Sequence, residues 1–122
     1  MGTTSTLATE FVRLAHPDGR VVVEHCLVAA RPLPRMRGLL GRGSLPAGEG
    51  ILLRPAASIH TFFMRFPIDV VFLDRDLVVV GIAPELRPWK TARKRHAHAA
   101  LELASGECER RGVKVGDRLV AA

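Results

Sequence analysis

Residues 60–80 read HTFFMRFPIDVVFLDRDLVVV, and their reading decides the fold. They begin as a strand carrying large apolar groups on both faces, bend at Pro67, and run into a second strand headed by Asp69. The turn Asp74-Arg75-Asp76 starts a third. Phe62, Phe63, Met64, Phe66 and Phe72 crowd into this stretch, which is therefore predicted to supply the core. Short apolar runs punctuated by Pro and Asp point to strands rather than to long helices.

Working outward, Phe11–Ala15 alternates like a strand, His16-Pro-Asp-Gly-Arg20 carries turn residues, and Val21–Ala30 returns as a long strand. Met36, Leu39 and Leu40 have helical spacing between Pro34 and Gly41, with Arg35, Arg37 and Arg42 largely opposite, so a short helix is predicted there. Ser44–Gly50 reads as a loop and Ile51–Arg54 as a short strand ended by Pro55. Leu77–Ala83 is a strand, and 84–98 a long basic connection holding Trp89. Ala99–Ala104 is another strand. Ser105–Gly112 has a capping serine, early acids, late bases and a closing glycine, the pattern of one short helix. Val113–Val120 closes with a turn and strand. The expected class is α+β, mostly β: a compact, partly closed β-barrel of about seven short strands with two short helices.

At 122 residues the chain fits one domain, and 48% hydrophobic content supports one core. Residues 1–9 are polar and read as a disordered leader, leaving 10–122 as the domain. No apolar run approaches the roughly 20 residues of a membrane span, and no signal peptide is legible, so a cytoplasmic protein without membrane contact is expected. Cys26 lies in an apolar run and is expected to be buried; Cys108 lies in a polar one and is expected to be exposed. Neither belongs to a Cys-x-x-Cys pair, which excludes zinc-ribbon and thioredoxin-type chemistry. The formal charge of +6 is segregated: residues 31–65 hold six arginines against one glutamate, and 87–98 hold five bases and no acid. Two like-signed segments could share one face, and residues 31–42 and 87–98 are expected to form one positive patch near Trp89.

Three pieces together resemble the DUF192 family of uncharacterised bacterial and archaeal proteins: Arg35-Met-Arg-Gly-Leu-Leu-Gly-Arg42, His60 to Asp74, and Leu101-Glu-Leu-Ala-Ser-Gly106 with Gly112 and Gly116-Asp117. The likeness runs from about Val22 to Val120. It implies a small β-rich fold and no established reaction. Many relatives carry a signal or lipoprotein leader, and residues 1–9 do not read as one.

No Gly-x-Ser-x-Gly elbow and no phosphate-binding glycine loop occurs. Asp74-Arg75-Asp76 lacks the further ligands of a calcium loop. The best polar constellation is His60, Asp69 and Glu102, each set in an apolar strand where an ionisable group must be paired or bonded. Converging, they could act as acid and base or hold a metal; apart, they are structural. The leading expectation is a non-catalytic domain that binds a small molecule or protein through a surface beside Arg37, His60, Met64, Arg65, Asp69, Trp89 and Glu102. No cofactor and no metal are expected. The alternatives are a small hydrolase or metal-dependent enzyme on His60, Asp69 and Glu102, and, more weakly, an RNA-contacting module. Nucleic acid is disfavoured because the aromatics, Trp89 excepted, read as buried, and base recognition wants exposed rings.

Overall fold

The computed structural model describes residues 10–30 and 44–122. The leader, the helix predicted over 34–41 and Arg37 lie outside the described residues. The strands are β1 (Glu10–Ala15), β2 (Val21–Ala29), β3 (Glu49–Leu53), β4 (Ser58–His60), β5 (Ile68–Leu73), β6 (Val79–Leu86), β7 (Thr91–Arg93), β8 (Ala99–Ala104) and β9 (Val120–Ala121). One helix, α1 (Glu107–Arg110), follows β8.

Seven strands form a sheet in the order β6-β5-β8-β3-β2-β1-β9, while β4 and β7 pair as a separate ribbon. The opening hairpin is closed as its sequence dictates: Gly19 takes φ 96°, and Asp18 accepts the Arg20 N–H at 3.0 Å. The sheet curls until its ends meet. The Val79 N–H donates to the Asp117 carbonyl at 2.8 Å, and the Leu119 N–H to that of Leu77 at 2.9 Å. These bonds tie the start of β6 to the segment entering β9. The barrel is partly closed.

Strands β5 and β8 are buried along their whole length, which requires cover on both faces. Alternation sorts their side chains. Val71, Leu73, Leu101 and Leu103 point into the barrel with Leu14, Val22, Val23, Leu52 and Cys108. Ile68, Val70, Phe72 and Ala100 point the other way and pack with Ile51, Leu53, Ile59, Met64 and Phe66 beneath the ribbon. The ribbon is thus a lid on the outer face of the sheet, which is why the basic stretch 84–98 is structured rather than a plain connection.

Several expectations need correction. Strand β4 ends at His60, so the expected strand from His60 to the bend is instead a tight loop over 61–67, with Phe63 at φ 68°. Met64, Phe66 and Phe72 are core, whereas Phe63 is 61% exposed. The N-cap of α1 is Gly106, with no side-chain cap, so Ser105 does not cap it. Cys108 is buried, not exposed, because α1 turns it into the barrel.

Both cysteines are free and buried. Burial pushes the Cys26 thiol up to about 12; burial and then the nearby Asp69 carboxylate do the same to Cys108. Each is above its ordinary value near 9, so the native state holds both thiols neutral. That stabilising contribution is complete below about pH 9 and is lost as pH rises toward 12. At pH 7.5, Ellman's reagent is expected to label the folded protein only at the rate of unfolding. Above about pH 9, the melting temperature should fall, and by less in Cys26→Ala. Immediate labelling of two thiols would contradict this.

Candidate functional site

The outer end of the β4–β7 ribbon carries the most distinctive surface. His60, at the end of β4, stacks on Phe62 with ring centroids 4.6 Å apart. Phe62 in turn lies 5.7 Å from Trp89, and Phe63 meets Trp89 edge-on at 4.5 Å. Trp89 is 58% exposed. His60 of β4 and three rings from two loops therefore form one cluster, with Phe63 and Trp89 open to solvent.

Thr61 holds the cluster together. It is fully buried, and its hydroxyl donates to the Arg87 carbonyl at 2.6 Å while accepting the Lys90 N–H at 3.0 Å. Its own N–H donates to the Lys90 carbonyl at 2.9 Å, and its carbonyl accepts the Trp89 N–H at 3.0 Å and the Met64 N–H at 3.2 Å. One residue thus latches the 61–66 loop to the 87–90 loop. Phe63 and Trp89 sit at φ 68° and 64°, a left-handed backbone that bulky residues adopt only when their surroundings impose it. The latch is that imposition. Sequence reasoning passed over Thr61; the available signal was a lone hydroxyl inside an otherwise apolar and aromatic run.

Shallow grooves flank the ribbon. One of about 420 Å³ is bounded by Leu53, Pro55 and Ser58–His60, and another of about 290 Å³ lies between Ser58–His60 and Thr91–Arg93. Arg93 lines the second, and Arg65, Arg87, Lys90, Lys94 and Arg95 are exposed elsewhere in the ribbon and the loops that flank it.

The polar constellation of the sequence does not converge. Asp69 pairs with Leu103 in register and so points to the barrel side. Its Oδ1 accepts the Glu85 N–H at 2.8 Å, and its Oδ2 accepts the Cys108 N–H at 2.9 Å. The first bond serves a bulge, where β6 spends one more residue than β5 between Ile68↔Leu86 and Val70↔Ala83. The second supplies, from a distant strand, the cap that α1 lacks. Glu102 is also buried, but it pairs with Ile51 and Val70 and so faces the opposite side, beneath the ribbon. A one-residue offset on a pleated sheet separates the two carboxylates by the thickness of the sheet. His60 lies on the ribbon itself. Met64 belongs to the core below. Of the expected surface, the structure brings together His60 and Trp89, with Arg65 exposed nearby in the loop. Among the described residues, no group of three or more His, Cys, Asp or Glu is placed to hold a metal.

Comparison with known proteins fits this architecture. The family model DUF192, described as "Uncharacterized ACR", matches residues 14–121. The chain belongs to the DUF192 family. Among curated relatives, this DUF192 chain is 44% identical over 64 residues to a UPF0127 protein of Pyrococcus furiosus, covering 52% of the chain and 54% of that protein. A UPF0127 protein of Pyrococcus abyssi is 41% identical over 64 residues, with the same coverage. The chain thus spans about half the length of the curated relatives it matches. A crystal structure from Sinorhizobium meliloti 1021, titled "putative transcription regulator", superposes with a TM-score of 0.78 at 27% identity, covering 93% of this chain and 94% of that one. A protein of unknown function from Novosphingobium aromaticivorans shares the fold, with a TM-score of 0.75 at 24% identity over 92% of this chain and 84% of that one. The DUF192 chain is a protein of a family without an established function, and no helix among its described residues is long and apolar enough to cross a membrane.

Proposed function

We propose that this DUF192 protein is a non-catalytic binding domain of the cytoplasm, with its recognition surface at the aromatic end of the β4–β7 ribbon. The observation that carries the reading is the pair Phe63 and Trp89, held exposed on left-handed backbone by a buried threonine. Strain of this kind costs about 1–3 kcal/mol at each position, and exposing two large rings adds to that cost. A surface maintained against both costs is best explained by use. The placement of Asp69 and Glu102 on opposite faces of the sheet removes the support for an acid–base centre, since such chemistry needs its groups within hydrogen-bond reach of one another.

The test is position-specific photocrosslinking in cells. A benzoylphenylalanine at position 63 is expected to give discrete adducts, whereas the same residue at Phe11, which is 49% exposed in β1, gives none. Equal labelling from both positions would remove the ribbon from consideration.

A further inference from the structure

The ribbon and its loops carry charge of one sign. Residues 54–67 and 86–98 hold seven arginines or lysines and no aspartate or glutamate. Five of them, Arg87, Lys90, Arg93, Lys94 and Arg95, are exposed within nine residues. Among the described residues none of the five is in an ion pair. Elsewhere three arginines are ion-paired: Arg20 with Asp18, Arg110 with Glu107, and Arg111 with Glu24. What sets this strip apart is its density, five cations within nine residues and no acid among them, and it begins beside Trp89.

We propose that this surface binds a short single strand of nucleic acid, with phosphates along the exposed basic segment 87–95 and bases stacked against Trp89 and Phe63. The proposal rests on the reading of the ribbon as the recognition face and names its occupant. Phosphates call for cations not already paired, and bases call for exposed rings; the cations stand beside Trp89 and Phe63, which are 58% and 61% exposed. Nucleic acid was disfavoured on the sequence because the phenylalanines read as buried, and the exposure of Phe63 overturns that premise. Duplex recognition fits less well. Its usual readers are a helix or a two-stranded ribbon in the major groove, whereas α1 has four residues, two of them buried, and β4 and β7 have three each. A lipid surface also fits less well. From Trp89 to Arg95 the bases follow the chain as a strip of at most about 20 Å at strand rise, rather than ringing an apolar tip.

Fluorescence anisotropy with labelled 12-nucleotide RNA and DNA, single-stranded and as duplex, tests this on the full chain. Single strands are expected to bind more tightly than duplex. Their affinity should fall with salt at a log–log slope of about −2 to −3, as three or four phosphates are neutralised. Trp89→Gly suits the left-handed backbone and should fold, yet weaken binding roughly tenfold or more through lost stacking. Arg93→Glu combined with Lys94→Glu should flatten the salt slope by about 1.4. Phe11→Ala, in β1 and outside the ribbon and its loops, should change nothing. Equal affinity for duplex and single strand, with Trp89→Gly indistinguishable from wild type, overturns the proposal as mere charge attraction. Binding to phosphatidylserine vesicles but not to oligonucleotides also overturns it, while leaving the ribbon as a recognition face. Absent oligonucleotide binding together with equal crosslinking from positions 63 and 11 overturns both.

Discussion

Asp69→Ala is expected to lower the melting temperature by roughly 10 °C or more. The carboxylate is 1% exposed and satisfies two backbone N–H groups from different parts of the chain. Removing it orphans the Glu85 N–H at the β6 bulge and the Cys108 N–H in the first turn of α1. Each buried, unsatisfied donor costs about 1–3 kcal/mol, so a loss of about 3 kcal/mol is expected from a total that for such domains is about 5–15 kcal/mol. Asp69→Asn should fare little better, because its amide nitrogen would face one of the two donors. Urea and thermal denaturation followed by circular dichroism measure the effect. An unchanged melt would show that the two N–H groups find other partners, and would return Asp69 to consideration as a functional carboxylate.

Thr61→Val should damage the recognition face more than the fold. Valine keeps the shape and loses the hydroxyl, which orphans the Arg87 carbonyl and the Lys90 N–H. The expected cost is about 2 kcal/mol, concentrated where the latch holds Phe63 and Trp89 on left-handed backbone. Trp89 is the sole tryptophan, so its steady-state fluorescence anisotropy reports the loop directly and should fall in the variant. Hydrogen exchange at Trp89 and Met64, whose N–H groups donate to the Thr61 carbonyl, should quicken as well. Thr61→Ser, which retains the hydroxyl, should restore most of both signals. A Trp89 signal identical in Thr61→Val and wild type would mean that ring stacking alone fixes the tip.

Much of this was legible from local pattern. The turn at His16–Arg20, the strands around Val21–Ala29, Ile68–Leu73 and Ala99–Ala104, and the mostly-β class follow from apolar runs and from Pro, Gly and Asp placed where turns need them. Even the exposure of Phe63 had a trace in the sequence. From 63 to 68 burial alternates, with Met64, Phe66 and Ile68 inward and Phe63, Arg65 and Pro67 outward. Composition alone masks this, because Phe63 looks as apolar as its buried neighbours.

The chain's own letters thus determined where strands begin and turn, that one small β-rich core forms, and that positive charge concentrates in 31–65 and 87–98. These are properties of short windows, set by side-chain volume, periodicity and backbone preference. Tertiary structure alone decided the rest. Register placed Asp69 opposite Leu103, and Glu102 opposite Ile51 and Val70, on two faces of one sheet. Sheet curvature brought the segment before β9 to the start of β6, and Thr61 was drawn against residues 87–90 to raise the aromatic tip. Each of these depends on which distant strands become neighbours, and pleated strands send successive side chains to opposite faces. A shift of one position in that pairing would have reversed every assignment, and no local window contains that information.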